Sequence, residues 1–279
     1  MIITNDVLYR ESKRPIIWDA FFNNDDTPKP LVIFCHGYKG FKDWGAWNLV
    51  ADAFKQSNIF FVKFNFSHNG GTIEDPIDFP DLEAFAENNY SKELDDLNDI
   101  LDFFLADTCA YSKHIDTKNV TIIGHSRGGG ISIIKAAEDY RITKLITWAS
   151  VSGFGKRITT AGDLEQWKKD GVRYVMNGRT KQMMPHNYQF YLDYKTNEER
   201  FNIERAAASL TIPFLIIHAA NDPTVSYEDA ENLHRFNPNS ILKRIEGSNH
   251  VFDAKHPWEV SDLPEALQLV TKESIDFIT

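Results

Sequence analysis

Apolar residues along the chain fall into short dense runs separated by longer stretches in which they recur every three or four positions. "PLVIFCHG" (30–37) is a dense run and predicts a buried strand. "WGAWNLVADAFKQ" (44–56) sets Trp47, Val50, Ala51 and Phe54 on one side of a helix, and "IFFVKFNF" (59–66) predicts a second strand, so the unit is β-α-β. A second unit follows. "YSKELDDLNDILDFFLAD" (90–107) lines Leu94, Leu97, Leu101 and Phe104 along one helical face behind a Ser91 cap, and "NVTIIG" (119–124) returns as a strand. A helix from near Arg127 then leads to strands "KLITWASV" (144–151) and "PFLIIHAA" (213–220). After these come the helix "YEDAENLHRF" (227–236), the strand "SILKRIEG" (240–247) and a C-terminal helix from about Ser261; "IIWDAFF" (16–22) precedes the series as an antiparallel strand. Such alternation predicts an α/β fold, a doubly wound, mostly parallel sheet with helices on both faces.

The alternation breaks between Gly155 and Ser209. Inside that segment "VRYVMNGRTKQM" (172–183) predicts a hairpin, with Asn177 and Gly178 supplying the two positive-φ positions of a tight turn. The segment is too long for a simple crossover and reads as a lid or cap insertion at 155–209 in a single domain spanning 1–279. The stretch "SHNGGTIEDPIDFPDLEAF" (67–85) is long, unpatterned loop.

Composition narrows the partners more than the fold. With 42% hydrophobic and 25% charged residues the 279-residue chain builds an ordinary globular core, and a formal charge of −10 argues against a nucleic-acid partner, whose phosphates need Lys and Arg. Cys35 and Cys109 are too few for a disulfide framework and lie in apolar stretches, which suits a reducing compartment. No apolar run resembles a signal peptide or approaches the roughly 18 residues of a membrane span, so a cytoplasmic protein without a membrane partner is expected. No metal site is expected: the nine histidines form no helical i, i+4 pair with a glutamate, and the two cysteines are far apart. Oligomeric state is not legible in the chain.

One short stretch resists an explanation by helix stability. In "NVTIIGHSRGGG" (119–130) glycines crowd Ser126 at the start of a helix, although an interior glycine costs a helix about 1 kcal/mol relative to alanine. A G-x-S-x-G pattern alone is a weak signal. Placed between a buried strand and a helix, it reads as a nucleophile elbow: the serine backbone is strained, Gly124 and Gly128 give clearance, and the hydroxyl stands at the carboxyl edge of the sheet. The triple glycine is not a phosphate loop, because no Lys-Ser/Thr follows it. A serine hydroxyl is a poor nucleophile without a base, so partners must exist elsewhere.

These features resemble the α/β-hydrolase superfamily from about Pro30 to the C-terminus, and most of all the dienelactone-hydrolase-like and serine-peptidase-like esterases that carry G-H-S-R-G-G. The resemblance implies the α/β-hydrolase fold and a triad in the order Ser, acid, His, with the last two members after the final strands. "PFLIIHAANDPTV" delivers Asp222 and "SILKRIEGSNHVF" delivers His250, with Asp229 and His256 as their nearest rivals. It also implies an oxyanion hole made by the backbone N–H groups of Arg127 and Tyr38. His36 reads as a loop-bonding residue, and Glu93 or Asp96 is a candidate anchor for the Arg127 side chain.

The implied activity is a cofactor-independent serine esterase acting on a small or medium ester through an acyl-enzyme. A peptidase on the same machinery would need carboxylates near the pocket to grip a short peptide's amine, for which the insertion offers Asp163, Glu165 and Asp193. A binding protein that kept the fold without the chemistry is the remaining alternative. Dehalogenases of this architecture carry Asp at the elbow and dienelactone hydrolases proper carry Cys; here the residue is Ser126. Trp167, Tyr174, Met176, Met183, Met184, Tyr188 and Phe190 of the insertion are candidates either for a substrate wall or for the lid's own core.

Overall fold

The structure, a computed structural model, describes residues 1–159 and 162–279; Thr160 and Ala161, which fall within the expected lid, lie outside the described residues. The described residues form ten strands: β1 (Ile2–Arg10), β2 (Lys13–Phe21), β3 (Lys29–Cys35), β4 (Phe60–Phe64), β5 (Ile115–His125), β6 (Lys144–Trp148), β7 (Val172–Met176), β8 (Met183–Asn187), β9 (Phe214–Ala219) and β10 (Ile241–Ile245). Eight of them make one sheet in the order β1-β2-β4-β3-β5-β6-β9-β10, while β7 and β8 pair separately. From β4 to β10 all neighbours are parallel; β1 and β2 run antiparallel at one end.

Helices cover both faces because the central strands are apolar on both. Along β3, Leu31, Ile33 and Cys35 belong to one core and Val32 and Phe34 to the other, the two-residue alternation of a pleated strand. The first core packs α3 (Tyr90–Leu105), α4 (Arg127–Glu138), α8 (Ile203–Ser209) and α9 (Tyr227–Phe236), through residues such as Leu97, Ile131, Ala207 and Leu233. The second packs α1 (Trp47–Gln56) and α10 (Glu265–Ile278), and the Trp47, Val50, Ala51 and Phe54 stripe of α1 is buried as its spacing predicts. The short α2 (Leu82–Ala86) makes the end of the stretch expected as loop helical, and α5 (Gly155–Thr159), α6 (Leu164–Asp170) and α7 (Gln189–Thr196) lie with the β7–β8 hairpin between β6 and β9. No described helix is long and apolar enough to cross a membrane.

Three local expectations are corrected, and one strand, β1, has no counterpart among them. β1 escapes the pattern because its residues alternate irregularly between exposed and half-buried, as on a sheet edge. The cap of α3 is Asn89, whose side chain accepts from the Lys92 N–H at 2.9 Å; Ser91 sits inside the first turn and its hydroxyl donates to Asp193 at 2.6 Å. The hairpin exists, but Asn177 and Gly178 do not form a two-residue turn: residues 177–182 connect the strands, and the positive φ falls at Lys181 (61°). Asn177 instead uses its side chain to accept from the Arg179 N–H at 3.0 Å. The last helix begins at Glu265, just after Pro264, a residue suited to a helix start and unsuited to its interior.

A buried ionic quartet ties the antiparallel end of the sheet to the loop after β3. Asp19 on β2, Lys63 on β4 and Lys42 are all at most 1% exposed, and Lys42 and Lys63 each reach both Asp19 and Asp43. The Lys42 N–H also donates to Asn65 Oδ1 at 2.6 Å, so that loop is held by a backbone bond as well as by the charge-assisted ones.

Candidate active site

Parallel strands bring their carboxyl ends to one edge, so the loops after β3, β5, β9 and β10 emerge side by side; these carry Tyr38, Ser126, Asp222 and His250 respectively. Ser126 has φ 56° and ψ −120°, a conformation that costs an L-residue free energy of order 1–3 kcal/mol. It is held there by its own main chain, the N–H donating to the Trp148 carbonyl at 2.9 Å and the carbonyl accepting from Gly129 N–H at 3.0 Å. The glycines around the serine leave no room for a Cβ. A Cβ on Gly124 would stand 2.6 Å from the Gly129 Cα, and one on Gly128 would meet the carbonyl oxygens of Cys35 and His36. Gly37, from the loop after β3, passes so close that its Cβ would lie 2.8 Å from the Ser126 Cβ. The serine hydroxyl is not spent on capping α4.

Asp222 and His250 meet. The Nδ1–H of His250 donates to Asp222 Oδ2 at 2.7 Å, while Asp222 Oδ1 accepts from the N–H groups of Thr224 (2.7 Å) and Val225 (2.9 Å). Burial alone would raise the Asp222 pKa. Bonds from His218 and His250, the positive charge His250 carries when protonated, and the Val225 N–H together hold it well below the usual carboxylate range. His125, beside the elbow, donates from Nε2 to the His250 carbonyl at 2.9 Å, and burial, reinforced by neighbouring His250, pushes its pKa down to about 3. It is a neutral strut for the histidine loop.

The rivals are engaged elsewhere. Asp229 accepts from the N–H and hydroxyl of Ser152 at 2.8 and 2.7 Å and pairs with Arg157 at 3.3 Å. His256 accepts from the Gly45 N–H at 2.9 Å. His36 accepts from Phe66 N–H through Nε2 (3.2 Å) and donates through Nδ1 to the Gly37 carbonyl (2.9 Å); burial pushes its pKa down to about 4 and keeps it a neutral loop brace.

The Arg127 side chain finds Glu93, at 3.3 Å, while Asp96 is taken by Arg10 at 2.7 Å. Its guanidinium lies 4.3 Å from the Tyr38 ring centre, a cation–π contact between the two residues expected to supply oxyanion N–H groups. The Tyr38 hydroxyl in turn bonds His186 Nε2 on β8 at 2.9 Å. A continuous chain of contacts thus runs from the hairpin through Tyr38 and Arg127 to Glu93 on α3.

Ser126 and His250 line a chamber of about 410 Å³, walled by Tyr90, Phe154, Phe190 and Val225. A second chamber of about 180 Å³, walled by Trp44, Trp47 and Val251, shares Tyr38, Lys39, Ser126 and His250 with the first. A larger cleft of about 660 Å³, between β1 and the end of α3, carries neither serine nor histidine and stands apart from this chemistry. Of the seven insertion residues that are candidates for a substrate wall or for the lid's own core, Phe190 lines the 410 Å³ chamber. Met184 and Trp167 are buried in core packing, and Tyr174, Met176 and Met183 are exposed. Tyr90, Phe154 and Val225 were missed as walls: Tyr90 reads locally as an ordinary core position of α3, and Phe154 and Val225 lie in loops, where no periodicity assigns a side chain to a wall. Asp163, Glu165 and Asp193 do not line either chamber; Asp163 caps α6 and Asp193 binds Ser91. Among the described residues no cluster of His, Cys, Asp and Glu is arranged to hold a metal ion.

An eight-stranded sheet in this order, with a strained serine between a central strand and its helix, is the α/β-hydrolase architecture. The chain belongs to the esterase family, a family of hydrolases: the family model described as "Putative esterase" matches residues 19–267. Its fold is similar to that of Est1E from Butyrivibrio proteoclasticus, with TM-score 0.71 and 17% identity over 98% of this chain and 96% of that one. Est1E with ferulic acid bound gives 0.69 and 19% over 94% of each chain. Alpha/beta hydrolase domain-containing protein 10 from mouse gives 0.67 and 17% over 98% and 97%. A chain described as "Putative Dienelactone Hydrolase" from Klebsiella pneumoniae gives 0.61 and 14% over 100% and 98%. No curated protein sequence matches the chain.

Proposed function

We propose that the protein is a serine esterase that cleaves a small or medium carboxylic ester through an acyl-enzyme, with Ser126 as nucleophile, His250 as general base and acid, and Asp222 as the residue that orients it. The observation that carries this reading is the 2.7 Å bond from His250 to Asp222 with His250 and Ser126 on the wall of one chamber. His250 Nε2 takes the hydroxyl proton as Ser126 Oγ attacks the ester carbonyl. Backbone N–H groups of Arg127, first residue of α4, and Tyr38 receive the oxyanion; one such donor is worth about 3 kcal/mol in the transition state. Collapse expels the alcohol with the proton from His250, and water, deprotonated by the same histidine, releases the acid. The segment 155–209 acts as the lid through α5 and the β7–β8 hairpin, whose Ile158, Val175 and His186 line the chamber. Aromatic walls and the ferulic acid held by Est1E favour an aromatic or otherwise apolar group beside the ester.

Hydrolysis of p-nitrophenyl esters and labelling by a fluorophosphonate test the assignment together. Native protein turns over and is labelled; Ser126→Ala loses both. Retained turnover in that variant overturns the nucleophile, and absence of labelling in native protein overturns the reaction.

A further inference from the structure

The charge of the chamber beside Ser126 is opposite to that of the molecule. The chain carries a formal −10, yet Lys39, Arg127, Arg157 and Arg173 all line this cavity, and among the described residues no Asp or Glu does. Glu93 pairs with Arg127 and Asp229 with Arg157, each at 3.3 Å, and neither carboxylate lines the chamber. Lys39 meets the Tyr38 ring at 4.9 Å and the Met176 carbonyl at 3.5 Å, and Arg173 lies 3.7 Å from the Trp167 ring centre. The like charges are close enough to feel one another. After burial, the positive charge of Arg127 is the next cause that lowers Lys39, and it also contributes to lowering Arg173. His186, between them, is pushed down to about 3 by burial and by Arg127, Arg173 and Lys39 together. Crowding cations around a concave, partly desolvated space is unfavourable unless an anion enters it.

Resting on the esterase reading above, we propose that the natural ester carries a carboxylate on the portion that fills the 410 Å³ chamber, held by Lys39 and Arg173, with the ester carbonyl at Ser126. A single carboxylate suits the site better than a phosphate dianion, because Phe154, Phe190 and Val225 make the rest of the chamber apolar and each further buried charge costs desolvation. A peptide amine, being cationic, is repelled from the same walls.

The test pairs a graded series of monomethyl dicarboxylates with the matching ω-amides, which have the same shape without the charge. At the best chain length native enzyme prefers the acid by about tenfold or more in kcat/KM, the discrimination of one charge-assisted bond, and the preference shrinks as salt is raised. Lys39→Gln and Arg173→Gln, checked for unchanged melting temperature, each reduce that preference. Ser126→Ala protein supplies a binding arm by calorimetry, in which the acid binds about tenfold tighter than the amide. If neutral esters are cleaved through Ser126 but no chain length prefers the acid, the carboxylate site is overturned and the esterase stands. If nothing is cleaved yet the acid binds preferentially and Lys39→Gln abolishes that preference, the site stands and the reaction falls. Equal binding of acid and amide, or no binding of either, overturns the site.

Discussion

Replacing Asp222 by asparagine isolates what the carboxylate does, because the surrounding bonds dictate which way the amide must face. Oδ1 accepts two backbone N–H groups, from Thr224 and Val225, whereas Oδ2 accepts from His250 at 2.7 Å and has His218 Nε2 only at 3.4 Å, that nitrogen giving its shorter bond to the Val225 carbonyl at 2.9 Å. Turning the amide nitrogen toward the backbone would leave two donors facing a donor, at about 1–3 kcal/mol each; turning it toward His250 sacrifices one bond. The introduced amide therefore keeps its carbonyl on the backbone and points its NH2 at His250. Nδ1 must then accept, which places the imidazole proton on Nε2, the atom that has to take the serine proton. A base held in the wrong tautomer costs about four orders of magnitude in kcat in serine hydrolases of this logic, or about 5.4 kcal/mol at 1.36 kcal/mol per factor of ten. Stopped-flow or steady-state hydrolysis of an activated ester reads kcat directly, with circular dichroism confirming the fold. Asp229→Asn, at the rival acid, stays within the same order of magnitude as native protein. A folded Asp222→Asn enzyme that loses less than about tenfold in kcat refutes the assignment of Asp222.

Further outcomes follow from the same geometry. Ser126→Gly is inactive but more stable by about 1 kcal/mol, because glycine adopts φ 56°, ψ −120° without the strain and returns only part of that gain as backbone entropy; a lower unfolding midpoint refutes the strain. His36, His125 and His186 are held neutral, with folded pKa values of about 4, 3 and 3 against an unfolded value of about 6.5. Their contribution is thus complete above about pH 6.5 and falls with decreasing pH by about 1.4 kcal/mol per unit for each; urea midpoints that are flat between neutral pH and pH 5 contradict this. Asp19→Ala strips Lys63 and Lys42 of a buried partner and costs about 3–5 kcal/mol in chemical unfolding; a loss below about 1 kcal/mol shows that Asp43 alone satisfies both lysines.

The sequence by itself determined the elements whose periodicity matches their burial, and the backbone chemistry at the elbow. Strands such as β3 and β9 were legible as unbroken apolar runs because both of their faces are buried, and the Trp47–Phe54 stripe of α1 was legible because the buried face of a helix repeats every three or four residues. Gly124, Ser126 and Gly128 were legible because a turn without room for a Cβ tolerates few residue types. The edge strand β1 and the residues 177–182 connection were not legible, since an edge strand needs no regular alternation and a longer turn takes its shape from side-chain bonds such as that of Asn177. What only the tertiary structure decided is which groups meet. It alone brings Glu93, far from Arg127 in sequence, behind the guanidinium and leaves Asp96 to Arg10. It draws the chamber wall from Tyr90, Phe154 and Val225 rather than from most of the insertion's aromatic residues, and gathers four cations there in an acidic protein. The physical reason is that periodicity encodes which side of its own element a residue faces. What stands opposite is fixed by how the layers close over the sheet edge.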